Sequence, residues 1–370
     1  MRSRLQLLLL LSLMAITAHA QNEQSLFLNL GDPAPPLRVR DWMKGTPVQK
    51  FEKGNVYVLE FWATWCAPCK AAMPHLSALA RQYKDRITFI GIDVMERKTT
   101  SMEKIRGFVD SMGQRMDYYV AVEDSNFMVD GWMEASGEQG IPRTFVVNAE
   151  GRLAWIGHPK YLPGVLRKIV NNDWDINEAS AKRKLNKHLR KLDDSLNFDL
   201  MDYSGDFKQD YIGKPDYALL AINEIVRNEP NLQYAPFLAN HTFSSLVKTN
   251  QRKAYEYGKV VLVTPTYEEP AYDAIITTVE FYSDKLNLSA EIYELCAEAY
   301  QGEIDEIAYP ELANMAKRYN KMAEWYGRAR NKSKAIDAQQ KAIEALKSKK
   351  DFSTADMTAF KSRLQHYKAM

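Results

Sequence analysis

The chain has 370 residues, 26% of them charged and 46% apolar, a composition that suits a folded protein with room for two domains. A formal net charge of +2 makes no electrostatic case for nucleic acid as a partner. Three cysteines are too few for a disulfide-stapled scaffold.

At the N-terminus, Arg2 and Arg4 precede the apolar run Leu5 to Ile16, and Ala18-His19-Ala20 stands before Gln21. A basic start, a short apolar stretch and a small-residue site predict a cleavable export signal over residues 1–20, too short to span a bilayer. Both excess positive charges would leave with it. No cysteine follows the cleavage site, so a lipid anchor there has no acceptor. No later stretch offers the roughly 18 uninterrupted apolar residues of a membrane span. The expectation is a soluble exported protein, periplasmic in a bacterium with two membranes.

From there to about Asn172, short apolar runs alternate with helical patterns. The runs are Val56 to Phe61, Ile87 to Asp93, Tyr118 to Val122, Thr144 to Val147 and Leu153 to Ile156. The helical patterns follow Cys66 and cover Ser101 to Ser111 and Leu162 to Val170. Such alternation predicts an α/β sheet layered by helices. At the first strand-to-helix junction stands Trp62-Ala63-Thr64-Trp65-Cys66-Ala67-Pro68-Cys69-Lys70. A cysteine at a helix N-terminus faces unpaired backbone N–H groups and the positive end of the helix dipole, which favour thiolate over thiol. A second cysteine one turn along can attack a mixed disulfide formed by the first. Zinc is a competing reading of the pair, but it needs four ligands and no second pair closes the site, although His75 is near. A permanent structural bridge is another, yet so short a loop restrains little unfolded-state entropy.

With these residues in view, the chain resembles the exported TlpA-like thiol:disulfide oxidoreductases of the thioredoxin superfamily. Besides the Cys66-Ala67-Pro68-Cys69 motif, Pro74 matches the proline that kinks the active-site helix. Gly140-Ile141-Pro142-Arg143-Thr144 matches the loop whose proline is cis and lies beside the cysteines. Asn148-Ala149-Glu150-Gly151 matches the turn between the last two strands, and Gly31-Asp32-Pro33-Ala34-Pro35 the lead-in segment. The resemblance covers about Gln24 to Asn172. It implies a thioredoxin-like fold in which Cys66 attacks, Cys69 resolves, and Glu60, six residues before Cys66, is the buried acid behind the pair. It further implies that Trp65, Ala67, Pro68, Ile141 and Pro142 meet the substrate, the last two through backbone pairing with an extended peptide. Cys66 is expected to be the more exposed thiol, Trp65 to sit at the rim and Trp62 in the core. Glu60 has an alternative as half of a structural ion pair with a lysine.

Two departures from the family are visible. Ala72 stands where cytochrome-maturation reductases often carry an acid, which weakens that particular role. Ala67-Pro68 lacks the histidine found between the cysteines of strongly oxidising relatives, so the pair looks closer to the reducing pattern. The Pro-x-x-x-Thr-x-x-Cys active site of peroxiredoxins, a neighbouring class, is not what Leu59 to Cys66 reads.

Beyond Asn172 the strand-like alternation stops. Leu185, Leu189, Leu192 and Leu196 fall at helical spacing beside Lys182-Arg183-Lys184, which predicts a connecting helix with a solvated charged face. From Asp216 helix follows helix. Ala323, Tyr326, Ala335 and Ala342 reproduce tetratricopeptide offsets, while Ala254 and Ala290 fit the repeat loosely, so a small solenoid and a plain bundle both remain open. Cys296 reads as a buried inert thiol.

The whole sequence therefore reads as residues 1–20 signal, 21–172 thioredoxin-like redox domain, 173–215 linker with a connecting helix, and 216–370 helical domain. The function expected is an exported thiol-disulfide oxidoreductase that reduces protein disulfides, in redox homeostasis or envelope protein maturation. No metal or other cofactor is implied, because the dithiol carries the electrons. Partners would be protein thiols or disulfides in the envelope and an upstream electron donor, which could sit in the membrane. Two alternatives stand: a partner-binding helical scaffold under redox control, and a thiol peroxidase-like antioxidant enzyme.

Overall fold

The computed structural model describes residues 28–204, 214–267, 269–310, 313–348 and 353–370. The predicted export signal lies outside the described residues. The chain divides into two compact units, residues 1–181 and 182–370. The division falls beyond Asn172 because Ile176 and Ala179 still pack on the first core and the Trp174 indole N–H donates to the Ala154 carbonyl at 2.9 Å.

The first unit is a six-stranded sheet of β1 (Val39–Lys44), β2 (Val56–Trp62), β3 (Ile87–Asp93), β4 (Tyr119–Glu123), β5 (Arg143–Val147) and β6 (Leu153–Gly157). Their spatial order is β1-β4-β3-β2-β5-β6. Strand β2 runs parallel to β3 and antiparallel to β5, and β3 runs parallel to β4. The flanking helices are α1 (Ala67–Gln82), α2 (Met102–Met112) and α3 (Leu162–Val170). This is the thioredoxin-like arrangement that the resemblance implied.

Strand β2 reads Val-Tyr-Val-Leu-Glu-Phe-Trp because it is central and covered on both faces. Alternation sends Tyr57, Leu59 and Phe61 into one core with Trp132 and Phe145. Glu60 and Trp62 point to the opposite face. Strand β1 had no counterpart among the predicted elements. It is a half-exposed edge strand carrying Arg40, Asp41 and Lys44, with irregular register against β4 at both ends, so its apolar alternation is broken.

Helix α4 (Ile176–Ser204) passes from the first unit into the second. The predicted leucine stripe is real in part. Leu189 is buried, Leu192 and Leu196 pack on the cluster of Ile222, Leu232 and Leu238, and Leu185 is exposed. The rest of the second unit is a succession of helices: α5 (Pro215–Asn228), α6 (Pro236–Thr249), α7 (Gln251–Val261), α8 (Tyr272–Tyr282), α9 (Ala290–Asp305), α10 (Met315–Arg328), α11 (Lys332–Lys347) and α12 (Thr354–Ala369). Neighbours α8 to α12 pack in chain order. Ala323, Tyr326, Ala335 and Ala342, the residues of the predicted repeat, are all buried, as is Cys296, whose thiol burial pushes far toward the neutral form. Among the described residues, no helix is long and apolar enough to cross a membrane.

Ala335 is fully buried in the same cluster as Tyr326 and Trp325. Small residues there let α10 and α11 approach closely, so Ala335→Leu should overpack the contact and cost about 1–3 kcal/mol. Urea denaturation followed by circular dichroism measures this as a lowered midpoint. An unchanged midpoint would show that the site has room to spare.

Candidate functional site

The site grows from the end of β2. After Trp62 the chain leaves the sheet, and Cys66 takes extended geometry (φ −78°, ψ 100°) as the N-cap of α1. Serine, threonine, aspartate and asparagine usually fill such a cap. Here a sulfur does so, with the Cys69 N–H donating to Cys66 Sγ at 3.2 Å. Pro68, in the first turn, fits because its missing N–H would be unpaired there in any case. Pro74, inside the helix, removes one hydrogen bond from its middle. Cys66 and Cys69 are joined as a disulfide.

Both cysteines are buried, Cys66 at 3% exposure and Cys69 at 1%, so the expected difference in access is slight in the oxidised protein. What is exposed is the rim: Trp65, at 43%, with Ala67 and Pro68. Trp62 is fully buried and stacks on Phe108, with ring centroids 5.4 Å apart. The Ile141-Pro142 bond is cis, Ile141 is half-buried and Pro142 is buried. Arg143, the next residue, pairs with Phe61 across β5 and β2, which brings this loop to the same end of the sheet as the cysteines.

Glu60 is buried at the centre of the sheet, between Gly91 of β3 and Thr144 of β5. The Thr144 hydroxyl donates to Glu60 Oε2. Among the described residues Oε1 has no hydrogen-bond partner, and neither do two other buried polar atoms, Trp62 Nε1 and Tyr118 Oη. Trp62 and Tyr118 both line Gly91, where a Cβ would come within 2.9 Å of the Tyr118 ring and 3.1 Å of Trp62 Nε1. Burial raises the Glu60 carboxyl to about 8, against smaller opposing effects from the Thr144 hydrogen bond and the Arg143 charge. Among the described residues Glu60 makes no ion pair; the nearby Arg143 pairs instead with Glu138, at 3.1 Å.

The sequence reading missed a second set of polar groups at this end. Asp93, the last residue of β3, is buried beside Trp62. Glu96 accepts from the Thr64 N–H at 2.5 Å, the Trp65 indole N–H donates to the Met95 carbonyl at 2.9 Å, and Lys70 Nζ donates to the Thr64 carbonyl at 3.1 Å. The available signal was an acid closing an otherwise apolar strand next to the motif strand, where an isolated charge is costly.

A thioredoxin family model matches residues 46–111. Protein FixW of Rhizobium leguminosarum is 34% identical over 165 residues, which cover 43% of this chain and 73% of FixW. The thiol-disulfide oxidoreductase ResA of Bacillus thuringiensis is 28% identical over 149 residues, 39% of this chain and 80% of ResA. The thiol:disulfide interchange protein HelX of Rhodobacter capsulatus is 29% identical over 125 residues, covering 33% of this chain and 64% of HelX.

The raised Glu60 ionisation has a sign that stability measurements can read. Above its ordinary value of 4.5 the unfolded chain releases this proton, whereas the folded protein holds it to about 8. Glu60 therefore makes stability fall as pH rises through that window, by up to about 1.4 kcal/mol per pH unit. In Glu60→Gln the loss between pH 5 and pH 8 should be smaller than in the wild type, as measured by urea unfolding of the oxidised protein. Equal losses would mean that Glu60 ionises normally in the fold.

Proposed function

Because this chain belongs to the thioredoxin-like family of thiol:disulfide oxidoreductases, we propose that it is exported and reduces disulfides of proteins outside the cytoplasm through Cys66 and Cys69. The observation that carries this reading is the cysteine cap: one sulfur at the helix N-terminus, the other one turn inside and buried. Export is supported by the N-terminal pattern of Arg2, Arg4, Leu5 to Ile16 and Ala18-His19-Ala20.

In this reading the reduced enzyme meets a partner disulfide at the rim formed by Trp65, Ala67 and Pro68. The partner's extended backbone lies along Ile141 and Pro142. The Cys66 thiolate attacks one partner sulfur, forming a mixed disulfide, and the other partner sulfur departs and is protonated. Cys69 then loses its proton and attacks Cys66 Sγ. The Cys66–Cys69 bond forms, the mixed disulfide breaks, and the second partner thiol leaves. The partner gains two electrons and the enzyme is oxidised. An electron donor of the dithiol class must restore the reduced form.

Glu60 takes the Cys69 proton. A carboxyl that ionises near neutral pH can both accept and return it. Its Oε1, which no described residue reaches, is the oxygen open to receive that proton. The helical unit is the part that would hold particular partners; among its exposed apolar side chains are Tyr217, Leu220 and Val263.

Substitution separates the two sulfurs. Cys69→Ser should accumulate mixed disulfides with partners, visible on non-reducing gels, because the attack proceeds and the resolution does not. Cys66→Ser should accumulate none. Equal trapping by the two variants would remove the assignment of roles. In the same protein, Glu60→Gln should slow resolution near neutral pH and leave the first attack less affected.

A further inference from the structure

The loop that follows β3 holds the redox loop from behind. The Val94 N–H donates to the Trp62 carbonyl at 2.8 Å, the Trp65 indole N–H to the Met95 carbonyl at 2.9 Å, and the Thr64 N–H to Glu96 Oε1 at 2.5 Å. Met95 adopts a left-handed backbone (φ 55°), uncommon for a side chain of its size, and its N–H donates to Glu123 Oε1 at 3.3 Å. The strand end, Trp62, and two of the three residues between β2 and Cys66, Thr64 and Trp65, are therefore fixed by residues 94–96.

Asp93 sits behind this clasp in an unusual state. It is 1% exposed, and no N–H or O–H of the described residues reaches either of its carboxyl oxygens. The polar group beside it is the Glu96 carboxyl, within hydrogen-bonding reach, whose Oε2 also lacks a donor. The other charged group acting on Asp93 is Glu123, of the same sign; Lys70 is engaged with the Thr64 carbonyl. Two carboxyls can join only through a proton, and an unpaired buried carboxylate is too costly to persist. Burial and the Glu96 charge accordingly raise Asp93 to about 9.

We propose that Asp93 is a positioning residue: it donates a shared proton to Glu96, and Glu96 in turn holds the Thr64 N–H and sets the redox loop against α1. The Asp93 O–H fills one oxygen of Glu96 and leaves the other, still anionic, for a charge-assisted bond to Thr64. Loss of the shared proton places like charges side by side, at the buried Asp93 and the half-buried Glu96, with a third at Glu123, and opens the clasp. This gives the site a second titrating element on the same face as Glu60, one strand away and in register with Trp62.

Carbon-detected NMR of the oxidised full-length protein tests the arrangement without relying on any reaction. The Asp93 carboxyl carbon should keep its protonated shift at pH 7, and the Thr64 amide nitrogen, whose N–H Glu96 accepts, should titrate with the same alkaline midpoint. Asp93→Asn, which keeps a donor toward Glu96 but cannot ionise, should abolish the Thr64 titration. An ionised Asp93 at pH 7, or a Thr64 titration that survives in Asp93→Asn, would overturn the proposal. The kinetic consequence rests on the disulfide-reductase reading. Asp93→Ala should lower insulin reduction at pH 7 about tenfold, the effect of one charge-assisted hydrogen bond, and Asp93→Asn should recover most of that loss. Equal losses in the two variants, with the NMR behaviour as expected, would show that the clasp exists but does not govern reactivity. A wild type that reduces no disulfide would count against the functional reading alone, with the carbon titration still deciding the state of Asp93.

Discussion

The chemistry of this protein depends on one local constraint, a sulfur occupying the N-cap of a helix that starts directly after a buried strand. Strand β2 is held on both sides, by β3 and β5, so its end is fixed. Four residues later Cys66 receives the Cys69 N–H. A hydroxyl or carboxylate in that place would stabilise the helix equally well. A sulfur also acquires the helix field, which favours its anionic form once the disulfide opens. The same turn carries Cys69 into the core, where it is shielded from solvent.

Around that cap the sheet buries two acids. Glu60 and Asp93 are both buried, both on the face that carries Trp62, and both raised by burial toward the neutral form. Their surroundings differ. Glu60 has a hydroxyl donor in Thr144 and one open oxygen, which suits a group that exchanges a proton. Asp93 has only another carboxyl for company, which suits a group that keeps one. The sheet register explains the spacing, since Glu60 pairs with Gly91 and Trp62 with Asp93.

Much of the first unit was legible in the sequence. Five apolar runs became β2 to β6, because central strands must be apolar on both faces and so announce themselves. The cysteine pair, the buried Glu60, the exposed Trp65 and the cis bond before Pro142 were legible as a motif and its family context. Strand β1 was not, since an irregular edge strand with charged residues carries no clean alternation. The Asp93–Glu96 contact was not either, because it depends on a left-handed turn at Met95 that no local pattern requires. In the second unit the buried alanines around Tyr326 were readable as close helix contacts. The packing of Leu189 but not Leu185 was not, because the leucine stripe on α4 is wider than the face that is covered.

The central claim is that Cys66 is the activated sulfur. The most direct measurement is the pH dependence of alkylation of the reduced protein, with the modified residue identified by mass spectrometry. The account predicts that Cys66 reacts first, with an apparent pKa below the free-thiol value of about 8.5. Modification of Cys69 first, or a Cys66 midpoint at or above that value, would contradict it.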